Sequence, residues 1–448
     1  MEPSRDTILE RVRRAGVVGA GGGGFPAHAK LAAQAEVVIA NGAECEPLSR
    51  VDQQRMQREP ERLLRGLRLA MRAVGAKQGV VALKAKYHDA IEALETRLRL
   101  EKPGPEVRLH LLNDFYPAGD EFVLVREVLG RVIPEFGLPL SVGAVVQNVS
   151  TLIDVAAAVD GERPVTSRFV TVTGAVASPA TFEVPLGTPL ALLLRAAGGP
   201  ATPNPALIAG GPMMGALASG PEAPVTKTLN TLLVLPEQHP VVQRRRRNAA
   251  RQIQLTRSAC LKCMMCTEVC PRNLLGHRLY PDRLMRSLAA SVTEDLSAYQ
   301  GAYLCSECGL CAVYGCVMSL DPAAVHRELK ARMSRAGVPR PEPRQTSERV
   351  FGPLRAVPSK RLIARLGLTP YDRPAPIREF SETIGSLTFP LKQHAGMPAV
   401  PRVKPGQRVK AGELLADVPE GKLGAALHAS RAGKVVEVTD AALRIEVG

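Results

Sequence analysis

The stretch Cys260-x-x-Cys263-x-x-Cys266-x-x-x-Cys270-Pro271, followed by Cys305-x-x-Cys308-x-x-Cys311-x-x-x-x-Cys316, carries eight of the nine cysteines in a chain of 448 residues. Three thiolates spaced two residues apart can wrap one corner of a cubane iron–sulfur cluster from a single turn of backbone, while the fourth ligand must come from a distance. Where two such clusters share a domain, the last cysteine of each run serves the other cluster. The spacing assigns Cys260, Cys263, Cys266 and Cys316 to one [4Fe-4S] cluster, and Cys305, Cys308, Cys311 and Cys270 to a second. The second run is longer by one residue and has Val317 where the first has Pro271. That departure bears on the geometry at Cys316.

Zinc also takes thiolates from Cys-x-x-Cys pairs, but its sites present two pairs rather than three evenly spaced cysteines and a trailing fourth. Structural disulfides fit less well: the cysteines are tightly grouped and no secretory signal precedes them. Their concentration implies a reducing compartment in which thiols stay available for iron.

The length calls for about two to four domains. No run approaches the ~18 uncharged apolar residues that a membrane-spanning helix needs. The net charge of +15 is spread along the chain, apart from the run Arg244-Arg245-Arg246-Arg247. Aromatic residues make up 4% and tryptophan is absent, which weighs against single-stranded nucleic acid as a ligand because such sites stack bases on aromatic rings. The arginine run reads as a contact for an acidic electron partner or as a solvated loop.

Ile8, Leu9 and Val12 at helical spacing predict a short amphipathic helix at the N-terminus. It leads into Gly19-Ala20-Gly21-Gly22-Gly23-Gly24-Phe25-Pro26. Gly19, Gly21 and Gly24 satisfy G-x-G-x-x-G, yet a charged helix precedes the motif and Pro26 interrupts its exit, so the dinucleotide fingerprint does not apply. Consecutive glycines still let backbone N–H groups converge on an anion, and a helix from about Ala27 would add its positive end. Val37 to Ala40 predicts a strand, and the acidic turn Asn41-Gly42-Ala43-Glu44-Cys45-Glu46-Pro47 at its carboxyl end is where open α/β sheets bind ligands. Alternation continues through helices at 61–74 and 89–100 and strands at 79–83 and 107–112. A helix opens at Gly119-Asp120-Glu121, and a strand at 142–146 runs into Gln147-Asn148-Val149-Ser150-Thr151. The pattern predicts a doubly wound α/β domain. Cys45 reads as a small packed side chain or, alternatively, a flavin contact or redox-active thiol.

The glycine loop with Lys30, the acidic turn, Gly119-Asp120-Glu121 and Gln147 to Thr151 together resemble the flavin domain of the 51-kDa subunit of respiratory NADH dehydrogenase. They are still more similar to the Rnf complex C subunit and to the cobalamin reductases of propanediol-utilisation microcompartments. The resemblance implies FMN held by Gly19, Gly21, Gly22, Gly23, Gly24, Phe25 and Lys30 near its phosphate, and by Asn41, Glu44, Glu46, Gly119, Asp120, Glu121, Asn148 and Thr151 around the rest. The aromatics that follow the glycine loop in the 51-kDa proteins are missing from His28 to Ala33, so flavin binding is better supported than NADH binding. Asp120 and Glu121 also read as ordinary acids at a helix start.

The expected architecture is multidomain α/β. It comprises a doubly wound FMN domain at 1–165, a small β-grasp domain of the soluble-ligand-binding type at 166–244, a helical two-[4Fe-4S] ferredoxin-like domain at 245–337, a Pro/Arg-rich connector at 338–389 and a C-terminal β barrel-sandwich hybrid at 390–448. The β-grasp segment offers no convergent polar cluster and is expected to space and pack its neighbours. Lys360 to Leu368 predicts a helix that docks back. The C-terminal module resembles lipoyl carriers, but Lys422 lacks the flanking residues of a modified lysine, so a structural or docking role is expected. Rnf C subunits carry this module at the N-terminus and the cobalamin reductases carry it at the C-terminus, as here.

The resemblance thus implies an NADH-dependent reductase that passes electrons through FMN and two [4Fe-4S] clusters to a corrinoid, without a catalytic acid–base residue. The corrinoid would be held on an adenosyltransferase, since no corrinoid signature is visible in this chain. It also implies a cytoplasmic location inside a bacterial microcompartment, with shell proteins as partners. Two alternatives stand beside it: an Rnf-type subunit moving electrons between NADH and ferredoxin, and a cluster-bearing scaffold without a working flavin site. Oligomeric state is not legible.

Overall fold

The computed structural model describes residues 2–100, 106–290 and 296–448. Its first unit is a parallel sheet of four strands in the order β3-β2-β1-β5, formed by β1 (Val37–Gly42), β2 (Gln78–Lys84), β3 (Glu106–Leu112) and β5 (Ala144–Asn148). The short β4 (Phe115–Tyr116) lies outside it. Strands β1, β2 and β5 are rich in Val and buried on both faces, as central parallel strands must be, whereas the edge strand β3 is largely half-exposed. Alternation along them divides two cores. Val38, Ala40, Val81, Leu83 and Val145 face helices α1 (Arg5–Arg14), α4 (Pro60–Val74) and α7 (Val149–Gly161). Val37, Ile39, Val80, Ala82 and Val146 face α6 (Glu121–Leu129).

The expected elements are present to within a few residues, with additions. Helix α3 (Val51–Arg58) fills the segment between the acidic turn and α4. The helix after the glycine loop, α2 (Ala27–Leu31), has only five residues. The loop itself closes as a tight hairpin, Gly19 N–H to Phe25 C=O at 2.9 Å and Gly24 N–H to Gly19 C=O at 3.2 Å. Little helix dipole is therefore available behind it, contrary to the sequence expectation.

The second unit is a six-stranded sheet built on β6 (Ser167–Gly174), β7 (Ala180–Pro185), β8 (Pro205–Ala209), β9 (Ala216–Leu217) and β10 (Thr231–Pro236). Its sixth strand, Ile377–Arg378, comes from the connector and pairs with β7. The connector also pairs Val357–Pro358 with β4, and its helix Ser359–Arg365 buries Leu362 against Val241 and Leu235. It is a strap fastened to two units rather than a free spacer.

The C-terminal module consists of a four-stranded and a three-stranded sheet. It is docked through Lys227, which is wholly buried and donates to the carbonyls of Gly16 and Ala426, both at 2.6 Å. Ala395 N–H reaches Gly24 C=O at 2.9 Å, so this module props the glycine loop from behind. Lys422 is exposed.

Gly66 sets how closely α4 and α7 approach, because a Cβ there would lie 1.9 Å from the Leu152 carbonyl oxygen. Gly66→Ala should lower the chemical denaturation midpoint, costing about 1–3 kcal/mol from overpacking against ~1 kcal/mol gained in helix propensity. An unchanged or raised midpoint would contradict this packing.

Candidate functional site

The carboxyl ends of β1 and β5 open into a cavity of 370 Å³. Its lining contains Gly19, Gly21, Gly23, Gly24, Phe25, Lys30, Asn41, Glu44, Glu46, Gly119, Asp120, Glu121 and Asn148, so motifs far apart in sequence meet at one place. Gly22 does not line it, having open space on the Cβ side. Thr151 stands behind the wall, its hydroxyl accepting Ala20 N–H at 2.9 Å. The volume falls within the range of small-ligand and cofactor pockets.

Several of these side chains hold the wall as well as face the cavity. Asp120 caps α6 by accepting from Phe122 N–H at 3.0 Å, and Asn148 caps α7 by accepting from Ser150 N–H at 2.9 Å. Asn41 donates to Gly119 C=O at 2.9 Å. Glu44 accepts from Ser49 Oγ and from the N–H groups of Asp52 and Gln53, so it caps α3 across the acidic turn. Lys30 is paired to Glu121 at 2.5 Å and donates to Val146 C=O, which sets its ammonium beside the cavity with its charge partly balanced.

Asp52 was not singled out from the sequence. It is buried, accepts from Asn148 Nδ2 at 2.7 Å and from Ser150 Oγ at 2.8 Å, and lines the cavity beside Glu44. Burial first, and then the Glu44 carboxylate, push its carboxyl up to about 7. The signal available was an acid in the first turn of α3. Cys45 also lines the cavity, its sulfur lying 3.2 Å from where a Gly119 Cβ would stand. Burial pushes its thiol up to about 11, which favours the inert thiol and supports packing over redox reactivity.

The far wall comes from elsewhere. Met214 and Asn230 from the second, six-stranded unit, and Ser306 and Cys308 from the second cysteine run, also line it. Glu46 turns away from solvent to accept the N–H groups of Met213 at 2.9 Å and Met214 at 2.7 Å. This second unit therefore contributes to the cavity wall and does more than space its neighbours. Its contribution is made by backbone N–H groups, which leave no trace in the side-chain sequence. Arg245 holds the same turn through the carbonyls of Gly215 and Pro212, and Arg244 through Pro212. Arg246 pairs with Glu237, and Arg247 donates to Ser319 C=O. Arg244 and Arg245 thus clamp this turn from within, while Arg246 and Arg247 stay exposed at the surface.

Both cysteine runs share one backbone pattern. Lys262 and Met264 in the first, and Glu307 and Gly309 in the second, have positive φ at matching positions. Left-handed residues between ligands turn backbone N–H groups toward sulfur, as Glu307 N–H does to Cys305 Sγ at 3.3 Å. The extra residue before Cys316 is absorbed by a π-helical turn, Cys311–Gly315, where the first run has an α-helical turn, Met265–Glu268.

Cys260, Cys263, Cys266 and Cys316 surround one apolar recess with Leu261, Met264, Met285 and Val317. Among the described residues no three metal-ligating side chains meet as tightly as a single ion would need; the thiols line a space instead. The Cys266 thiol is pushed up to about 12 by burial first and then by Asp282, Cys260, Cys263 and Cys316. Cys270 is raised to about 12 by burial, with Cys305 as a further cause, and Cys308 is raised by burial and then by Cys270. Cys316 thus lies with the thiols of the first run, and Cys270 lies within electrostatic reach of Cys305 and Cys308. Soft four-thiol donor sets of this kind suit iron–sulfur cubanes.

The two halves touch. Tyr116 Oη donates to Cys308 C=O at 2.8 Å, and Arg272, two residues past Cys270, forms a bidentate pair with Asp120 at 2.6 and 3.0 Å.

Asp52 holds its proton in the folded protein across a window, about pH 4 to 7, in which the unfolded chain has already lost it. The folded pKa is the raised one, so this carboxyl makes stability fall as pH rises through that window. Relative to the native chain, Asp52→Asn should gain stability between pH 4 and pH 8 in denaturant titrations. An equal difference at both pH values would contradict the shift.

Residues 12–157 match the Nuo51 FMN-binding domain, 169–217 the SLBB domain, 259–321 the 4Fe-4S dicluster domain and 372–446 the RnfC barrel sandwich hybrid domain. Cobalamin reductase PduS of Salmonella typhimurium is 45% identical over 100% of this chain and 98% of its own length. Its counterpart from Citrobacter freundii is 44% identical over 98% of this chain and 96% of its own. A component of the Na(+)-translocating ferredoxin:NAD(+) oxidoreductase complex of Acetobacterium woodii is 34% identical, over 60% of this chain and 58% of its own. With nearly end-to-end likeness to two cobalamin reductases, the chain belongs to the PduS cobalamin reductase family.

Proposed function

We propose that this chain is a cobalamin reductase that takes an electron pair from NADH at FMN and delivers single electrons through two [4Fe-4S] clusters to a corrinoid. The observation that carries this reading is the shared wall: the cavity lined by the glycine loop and the acidic turn is also lined by Ser306 and Cys308. FMN supplies the conversion between a hydride, which carries two electrons, and clusters that accept one at a time.

The residues proposed to hold FMN are those of the cavity wall named above, with Gly22 at the loop crest and Thr151 bracing from behind. Glycines at the loop leave room for close backbone approach, Lys30 offers the local cation, and Asn41, Glu44 and Asn148 supply hydrogen-bonding groups for hydroxyls. Phe25 and Met214, 37% and 60% exposed, stand where the cavity meets solvent. Electrons are proposed to enter the cluster of Cys270, Cys305, Cys308 and Cys311 first. They leave from the cluster of Cys260, Cys263, Cys266 and Cys316, whose Cys263 is exposed. The same reading divides the chain into functional segments 1–165, 166–244, 245–337, 338–389 and 390–448.

An adenosyltransferase holding the corrinoid and shell proteins of a microcompartment are the partners this reading adds. Among the described residues no helix is long and apolar enough to cross a membrane. The C-terminal place of the barrel-sandwich segment and the shorter overlap with the Acetobacterium protein favour this reading over an Rnf-type role.

Anaerobic titration of the reconstituted protein with NADH should bleach the flavin and reduce both clusters, and hydroxocobalamin should then reoxidise them. A flavin left unbleached would overturn the reading, and rapid reoxidation by ferredoxin but not by hydroxocobalamin would favour the Rnf-type role. Glu44→Ala, which removes both a cavity-lining carboxylate and the α3 cap, should retain less FMN after gel filtration. Undiminished FMN would remove Glu44 from the site.

A further inference from the structure

We infer that the Asp120–Arg272 pair is a positioning element that sets the reduction potential of the cluster bound by Cys270, Cys305, Cys308 and Cys311, and so couples that cluster to the flavin cavity. The inference rests on the proposed cofactor sites, but neither residue is a cluster ligand.

Arg272 is 8% exposed although it carries a permanent charge. Its two terminal nitrogens meet both oxygens of Asp120, at 2.6 and 3.0 Å, the bidentate geometry that makes such pairs strong and directional. The guanidinium also lies 3.9 Å from the centre of the Phe122 ring, which is held edge-on by His277. The planar fork is therefore fixed on one edge by a carboxylate and on one face by a ring. Asp120 is fixed in turn, since it caps α6 through Phe122 N–H.

The pair spans the junction between the two redox sites. Asp120 lines the cavity, while Arg272 sits in the four-residue helix Pro271–Leu274, two residues after Cys270, and the N–H groups of Arg272 and Asn273 bear on the Cys270 sulfur. The guanidinium lies within electrostatic reach of Cys308 and Cys270. Reducing a cluster adds negative charge to it. A nearby desolvated cation stabilises the reduced state and a nearby anion destabilises it, and both effects are amplified where water is excluded. Buried together, the two charges nearly cancel, so removing either should shift the potential in a direction fixed by the one that remains. The distant cluster lies in its own recess under Leu261, Met264 and Val317, where Asp282 has a separate partner in Arg286 at 2.8 Å and neither Asp120 nor Arg272 takes part.

The test is an EPR-monitored redox titration of the fully loaded protein, poised with mediators and dithionite so that neither NADH nor a corrinoid is needed. Failure of the proposed electron donor or acceptor therefore leaves the readout intact. Asp120→Asn keeps a helix-capping side chain and should raise the potential of the nearer cluster. Arg272→Met should lower it. Each shift should be on the order of tenfold in the reduction equilibrium, about 59 mV for one electron. The other cluster should not move, and Arg272→Lys should restore most of the native value. If Arg272→Met fails to retain the cluster, Asp120→Asn with a raised potential and Arg272→Lys with a near-native one still carry distinct expectations. Shifts of the same sign in Asp120→Asn and Arg272→Met, equal shifts in both clusters, or no shift with clusters retained would overturn the inference.

Discussion

Buried charge has to be matched where the cavity meets the second cysteine run, and that junction is organised by this constraint. An ionised carboxylate or guanidinium taken from water costs several kcal/mol unless hydrogen bonds and an opposite charge replace its hydration. Glu46 is answered by two backbone N–H groups and the nearby Arg244 and Arg245, Asp120 by Arg272, and Glu44 by the start of α3. Each match ties the flavin unit to another part of the chain or braces the cavity wall. The site exists because the Met213–Met214 turn of the second unit and the second cysteine run are both pulled onto the same wall.

The C-terminal module belongs to this arrangement although it contributes no residue to the cavity. Lys227 draws Gly16 and Ala426 together, and Ala395 holds Gly24 from outside. A glycine-rich loop has high conformational entropy. Fixing both its entry and its exit reduces what a bound phosphate would have to order. A module resembling a swinging carrier thus serves as a buttress.

Much of this was legible in the sequence because the informative residues are of constrained types. Cysteine spacing points to the proposed ligand sets, the glycine run and acidic turn mark the cavity, and alternating Val and Ile mark the sheet. The extra residue before Cys316 looked like a disturbance, yet a π turn accommodates it without moving the thiol out of its group. The missed features depend on backbone groups or on long-range pairing. The Met213–Met214 turn acts through its N–H groups, Arg244 and Arg245 turn inward because a carbonyl-rich turn awaits them, and Asp52 matters only because Glu44 and Asn148 fold over it. None of these has a local pattern that distinguishes it from a surface residue.

The central claim is that the cluster sharing Cys270 and Cys308 is the one beside the flavin cavity, with the other beyond it. Rapid-freeze EPR after mixing with NADH tests this in Cys316→Ala and Cys270→Ala proteins of matched flavin content. Cys316→Ala should still show fast reduction of its remaining intact cluster, whereas Cys270→Ala should show slow or absent reduction of the cluster it retains. Fast reduction in Cys270→Ala with slow reduction in Cys316→Ala would contradict the order, and with it the role given to the shared wall.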